Sequence, residues 1–113
     1  MHKENKQIVR GADASITLVI RTANGDALDL QDVTEISVRL RKADKSALQK
    51  TLTGGAVTVV SEHQGRIQVE LNETETSSLM VMQNAPIEIV VDFGETRRIA
   101  QIKAGLNIAD RLF

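Results

Sequence analysis

The stretch Gly65 to Leu79, GRIQVELNETETSSL, decides the reading of this chain. Ile67, Val69 and Leu71 alternate with Arg66, Gln68 and Glu70. A period of two residues is that of a half-buried strand, whose successive side chains point to opposite faces. The alternation stops at Asn72. An Asn side chain there can accept a backbone N–H at the start of a helix, and Glu75 stands three residues on, where a capping-box partner reaches back. Leu79 then tucks the end of that short helix against a core. A strand that runs into a single helical turn, Asn72 to Leu79, and then into another strand predicts a β-sandwich with one helical crossover.

Outward from this stretch, the same alternation recurs. Glu35 to Arg41, EISVRLR, puts Ile36, Val38 and Leu40 on one face and Ser37, Arg39 and Arg41 on the other. Ser15 to Thr22 sets Ile16, Leu18 and Ile20 inward, with Val19 as the imperfect member. Leu48 to Thr53 and Val57 to Glu62 read as further strands, parted by Gly54-Gly55. Ile87, Ile89, Val91 and Phe93 form the inner face of a long strand that begins at Pro86, after a loop at Gln83-Asn84. Gly94-Glu95 reads as a hairpin turn into a last strand from Thr96 to Ala104. That strand carries Ala100, Ile102 and Ala104 on one side and Arg97, Ile99, Gln101 and Lys103 on the other. Gln7 to Arg10 makes a short first strand. Asn24-Gly25-Asp26 is a turn, because Asn and Gly accept positive φ cheaply. Leu28 and Leu30 belong to a connection packed under the sandwich. Short strands with turn signals between them predict an all-β fold, an antiparallel sandwich of about seven strands.

The totals agree. A chain of 113 residues is one domain. We expect residues 1–6 to be a flexible N-terminal segment and residues 7–113 a single β-sandwich domain with an apolar C-terminal tail. There is no cysteine, so neither a disulfide nor a thiolate metal site is available. The net charge of −1 gives no global field to steer nucleic acid or an anionic membrane. No apolar run approaches the ~20 residues that span a bilayer, and MHKENKQIVR lacks the apolar core of a signal peptide. Two Phe, with no Trp or Tyr, make a poor stacking platform for single-stranded nucleic acid or sugar.

Catalysis finds few candidates. His63 follows Glu62, but zinc needs three or four converging ligands, and the other histidine is His2. His63 also lacks an evident orienting acid. Asp29 and Asp32 suit turns and caps better than calcium, which takes six to eight oxygens. No serine sits in a Gly-x-Ser-x-Gly elbow, and no glycine-rich phosphate loop exists. Arg39, Arg41 and Lys42 would form a basic face with Arg97, Arg98 and Lys103 if their strands were neighbours. The plainer reading is charge on outward positions, paired across strands with Glu35, Glu88, Asp92 and Glu95. We therefore expect no catalytic residue, no metal and no cofactor. The tail offers a candidate interface instead: Leu106, Ile108, Leu112 and Phe113, an apolar patch at the chain end.

The order of these signals resembles the immunoglobulin-like domain at the start of phage baseplate upper proteins and related phage and prophage tail proteins. The matching pieces are ASITLVIRTANGDALDLQDVTEISVRLRKAD, GRIQVELNETETSSL and PIEIVVDFGETRRIAQIKAGLNI, within Ala14 to Ile108. The Pro-Gly-Xaa-Tyr expected before the penultimate strand is replaced by Asn84-Ala85-Pro86-Ile87. The resemblance implies a non-enzymatic structural protein of tail or baseplate type, either a small stand-alone virion protein or a cut-out domain. It would be made in a bacterial cytoplasm and placed in the virion. Its partners would be further copies of itself or neighbouring virion proteins, with no nucleic acid and no membrane. The competing expectation is an adhesive sandwich that recognises a cell-surface protein or glycan through its loops.

Overall fold

The computed structural model describes residues 4, 6–95 and 97–110. Among the described residues eight strands form two sheets: β1 (Gln7–Val9), β2 (Ala14–Val19), β3 (Glu35–Arg41), β4 (Ala47–Thr51), β5 (Val57–Ser61), β6 (Arg66–Leu71), β7 (Met82–Asp92) and β8 (Arg98–Ala109). One sheet has the order β1-β8-β7-β3-β4 and the other β2-β6-β5. In immunoglobulin letters, β2 to β8 are strands B, C, C′, D, E, F and G, so the sheets read GFCC′ and BED. The protein is an all-β, immunoglobulin-like sandwich.

Alternation builds the core. Ile16, Leu18, Ile67, Val69 and Leu71 face Ile36, Val38, Leu40, Ile87, Ile89 and Val91, and all are buried. Leu28 and Leu30 of the β2–β3 connection are buried with them. Val19, off-pattern in sequence, is buried too.

The helical turn forms where the opening stretch places it. Helix α1 spans Glu73–Ser77. Asn72 Oδ1 accepts from Glu75 N at 2.8 Å, and Glu75 Oε1 accepts from Asn72 N at 2.9 Å. Three residues before Leu79 lies Thr76, the one buried polar side chain among the described residues. Its hydroxyl accepts from Gly11 N at 3.0 Å and donates to Ala12 O at 2.9 Å. A buried hydroxyl so satisfied pins α1 to the β1–β2 corner. A second short helical turn, of 3₁₀ type, spans Glu62–Gln64 and ends at Gly65 with φ +63°.

Three features differ from expectation. β1 is not antiparallel to its neighbour; it runs parallel to β8, with Ile8 beside Ile108. Gln83-Asn84 is no loop, because β7 starts at Met82 and runs through a bulged region with Asn84 at φ +58°. Pro86 therefore lies inside a strand, beside irregular pairing where its missing N–H is tolerated.

The third difference concerns β8, which changes sides midway. Up to Lys103 its odd-numbered residues face inward, leaving Ile102 outside at 73% exposure. Pairing with β7 shifts register between Ala85↔Leu106 and Ile87↔Lys103. Gly105, at φ +104°, lies within the shift. Beyond it the even positions Leu106 and Ile108 point into the core.

Candidate functional site

The outer face of the five-stranded sheet carries the least conventional surface. Alternation brings Arg39 and Arg41 of β3, Pro86 and Glu88 of β7, and Ile102 of β8 to one side. With the β3–β4 turn they line a shallow cleft of about 240 Å³. Arg39 Nη1 lies 3.3 Å from Glu88 Oε1 on the neighbouring strand. Both side chains are about half exposed, so the pair is worth well under ~1 kcal/mol. Arg41 and Lys45 have no ion-pair partner among the described residues.

The turn that presents Lys45 is tightly made. Lys42 N donates to Ser46 O at 2.9 Å, and Ser46 N donates to Asp44 Oδ1 at 2.9 Å. The Ser46 hydroxyl and then its N–H hold the Asp44 carboxyl below the usual range. Lys45 sits at φ +74°, held there by its neighbours. Cations beside an exposed branched aliphatic chain suit contact with a protein surface that is both acidic and apolar. The one hydroxyl that lines the cleft, Ser46, donates to the Asp44 carboxylate within the turn.

Each residue expected to act is placed as follows. Leu106 and Ile108, half of the expected apolar interface, are buried, and Leu106 is fully so. The shift at Gly105 turns them into the core, which removes them from any exposed patch. Leu112 and Phe113 lie outside the described residues, as does His2. His63 Nδ1 lies 3.4 Å from Asp29, so an acid does approach it, contrary to expectation. Both side chains are more than half exposed. The Asp29 carboxyl is held below its usual range first by the N–H of Gln31, with His63 contributing less. Among the described residues no group of three or more His, Asp or Glu side chains could hold a metal ion.

The basic residues do not merge. β7 separates β3 from β8 and interleaves its own acids. Arg98 Nε lies 3.1 Å from Asp92. Arg97 stacks 4.4 Å over the Phe93 ring. Lys103 turns to the other side and meets Glu4 at 3.0 Å. Glu35 holds Thr53 rather than a cation, accepting from Thr53 N at 3.0 Å and from its hydroxyl.

Two polar clusters escaped the sequence reading. In the first, Glu4 Oε2 accepts the N–H of Val19 at 3.0 Å, and Lys103 Nζ donates to Val19 O at 3.2 Å. Lys6 Nζ donates to Ala104 O at 3.0 Å. So the two described residues of the segment expected to be flexible are both fastened. Burial pushes the Glu4 carboxyl up, but Val19 and Lys103 outweigh it and hold it below its usual value. In the second, Lys50 of β4 pairs with Glu75 of α1, both mostly covered. No local signal links either set, since each contact spans distant stretches. Thr76 had one: it precedes Leu79 by three residues, hence shares its helix face.

No helix among the described residues is long and apolar enough to cross a membrane. No protein-family model matches the chain, and no curated protein sequence matches it. Among solved structures, the chain is similar to the N-terminal Ig1-2 module of the Drosophila receptor protein tyrosine phosphatase DLAR. The identity is 18% and the TM-score 0.39, over 99% of this chain and 48% of that one. This chain thus spans about half the length of that structure.

Proposed function

We propose that this protein is a non-enzymatic structural component of a phage or prophage particle, of tail or baseplate type, which assembles with copies of itself or with neighbouring virion proteins. The observation that carries the reading is the order of elements. The strand–turn–Asp-Leu–strand segment from Ala14, the strand that closes into α1, and the final hairpin fold here as consecutive parts of one sandwich. Those are the same pieces on which the resemblance to phage immunoglobulin-like domains rests. The cleft is shallow and exposed, and it sets the cations Arg41 and Lys45 beside the apolar Ile102, in line with a role in packing. Mass spectrometry of purified particles induced from the encoding host provides the test. Peptides of this chain should co-purify with assembled tails. Their confinement to the unassembled fraction would overturn the proposal.

A second reading has one observation in its favour. Ile102 stands exposed beside Arg41 and Lys45, cations with no ion-pair partner among the described residues, as on an adhesive face for an acidic protein. In that case the isolated protein would bind host surface protein, and Ile102→Asp would abolish binding.

A further inference from the structure

A sandwich has four edge strands, and exposed edges invite pairing with another chain unless something blunts them. Three of the four are blunted here. β1 is only Gln7–Val9. β5 is bulged between Val59 and Ser61. The edge of β2 is covered at its end: Glu4 takes the Val19 N–H, Lys103 its C=O, and Gln101 Nε2 donates to Arg21 O at 2.9 Å.

β4 is different. It spans Ala47–Thr51 with regular pairing to β3 and contains no proline. Lys42 N donates to Ser46 O, and Leu52 N to Ile36 O, both at 2.9 Å. Antiparallel alternation then commits residues 48 and 50 to β3 and turns the N–H and C=O of Ala47, Gln49 and Thr51 away from the sheet. None of these groups finds a backbone partner among the described residues. An inward lysine is a common guard against edge pairing, yet the charge of Lys50 is already neutralised by Glu75. Ala47, Gln49 and Thr51 are uncharged, so nothing repels a like strand.

We infer that β4 pairs antiparallel with β4 of a second copy about a two-fold axis at Gln49, joining two five-stranded sheets into one. This deepens the assembly proposal and rests on it. The register follows from the free groups. Gln49 meets Gln49, and Ala47 meets Thr51, so every outward N–H faces an outward C=O, giving about six new backbone bonds. Charge agrees with this register. The β3–β4 turn that carries Lys45, which has no ion partner among the described residues, lies beside the β4–β5 turn of the second copy, where Glu35 holds Thr53. Ammonium and carboxylate are thereby brought to the same end of the contact, once per copy. A two-fold contact of this kind is closed, so it yields a dimer and leaves the outer sheet face free for other proteins.

The test is sedimentation velocity on the full chain across a wide concentration range, with three variants. Gln49→Pro removes one outward N–H while leaving the bonds to β3 intact. It should weaken the dimer by about tenfold or more, with an unchanged circular dichroism spectrum. Lys45→Glu should weaken the dimer too, and more at low salt. Because the chain has no cysteine of its own, Gln49→Cys should be captured as a covalent dimer by a short thiol cross-linker, whereas Thr58→Cys on β5 should not. An oligomer that ignores Gln49→Pro and cross-links through Thr58 would overturn the β4 edge and leave the assembly proposal standing. A wild-type chain that stays monomeric throughout would also overturn it, and the particle-association test would then judge the assembly proposal alone.

Discussion

Gly65 closes the turn before β6, and replacing it with alanine should separate steric cost from backbone cost. Its φ of +63° lies in the left-handed region, where a Cβ costs roughly 1–2 kcal/mol. Here the Cβ would also lie 2.4 Å from Ile20 O and 2.8 Å from Leu28 O. Real contacts of this kind stop near 3.0 Å, so the backbones must part by roughly 0.6 Å. That opening pulls on the bonds Ile20 N to Gly65 O, 2.7 Å, and Leu28 N to Ile20 O, 2.8 Å. A buried group left without its partner costs about 1–3 kcal/mol. The sum is on the order of 2–5 kcal/mol, a large share of the ~5–15 kcal/mol that holds a domain together. Gly25 is the control. It has φ +88° with nothing within 4 Å of an added Cβ, so Gly25→Ala should cost only about 1–2 kcal/mol. Urea unfolding followed by circular dichroism measures both. With a slope near ~1.5 kcal/mol per molar, Gly65→Ala should lower the midpoint by about 1.3–3.3 M, and Gly25→Ala by about 1 M. Equal midpoints for the two variants would refute the steric argument.

Other consequences are as direct. Thr76→Val keeps shape but strands Gly11 N–H and Ala12 C=O, and should cost about 1–3 kcal/mol in the same urea assay. Leu106→Ala should cost about 2–5 kcal/mol as a core truncation, while Ile102→Ala, on the outer face, should stay within about 0.5 kcal/mol. Reversal of that order would restore Leu106 as a surface residue. The Glu75 carboxyl is pushed up by burial, but the ammonium of Lys50 and the N–H of Asn72 hold it below its ordinary value of 4.5. A carboxyl depressed by folding stabilises above its unfolded value, and that stability is lost as pH falls through the folded one. Melting temperature should therefore decline below about pH 4.5, and Glu75→Gln should lower it at neutral pH while flattening the decline.

What could be read from the sequence was what is local. EISVRLR and GRIQVEL declare their inner and outer faces within seven residues, and Asn72 with Glu75 spells out a helix start. Eight strands with two sheets follow nearly as expected. The expected tail patch fared differently because its logic was not local. Leu106 and Ile108 look like a run-on apolar tail only if β8 keeps its phase, and its phase depends on pairing with a bulged stretch some twenty residues earlier in the chain. Likewise β1 gives no hint that its neighbour will be β8, and Glu4 none that it will meet Val19. The outer-face cleft needed β3, β7 and β8 side by side, an order that alternation alone does not give.

The crossover at Gly105 makes chain length matter more than residue type there. Delete one residue at that point and the final segment slips by a single step: Asn107 swings into the oil, while Leu106 and Ile108 are thrown out to water. Natural variation should thus spare the spacing from Lys103 to Leu106 even where the letters drift, and spend its insertions at the hairpin tip near Gly94.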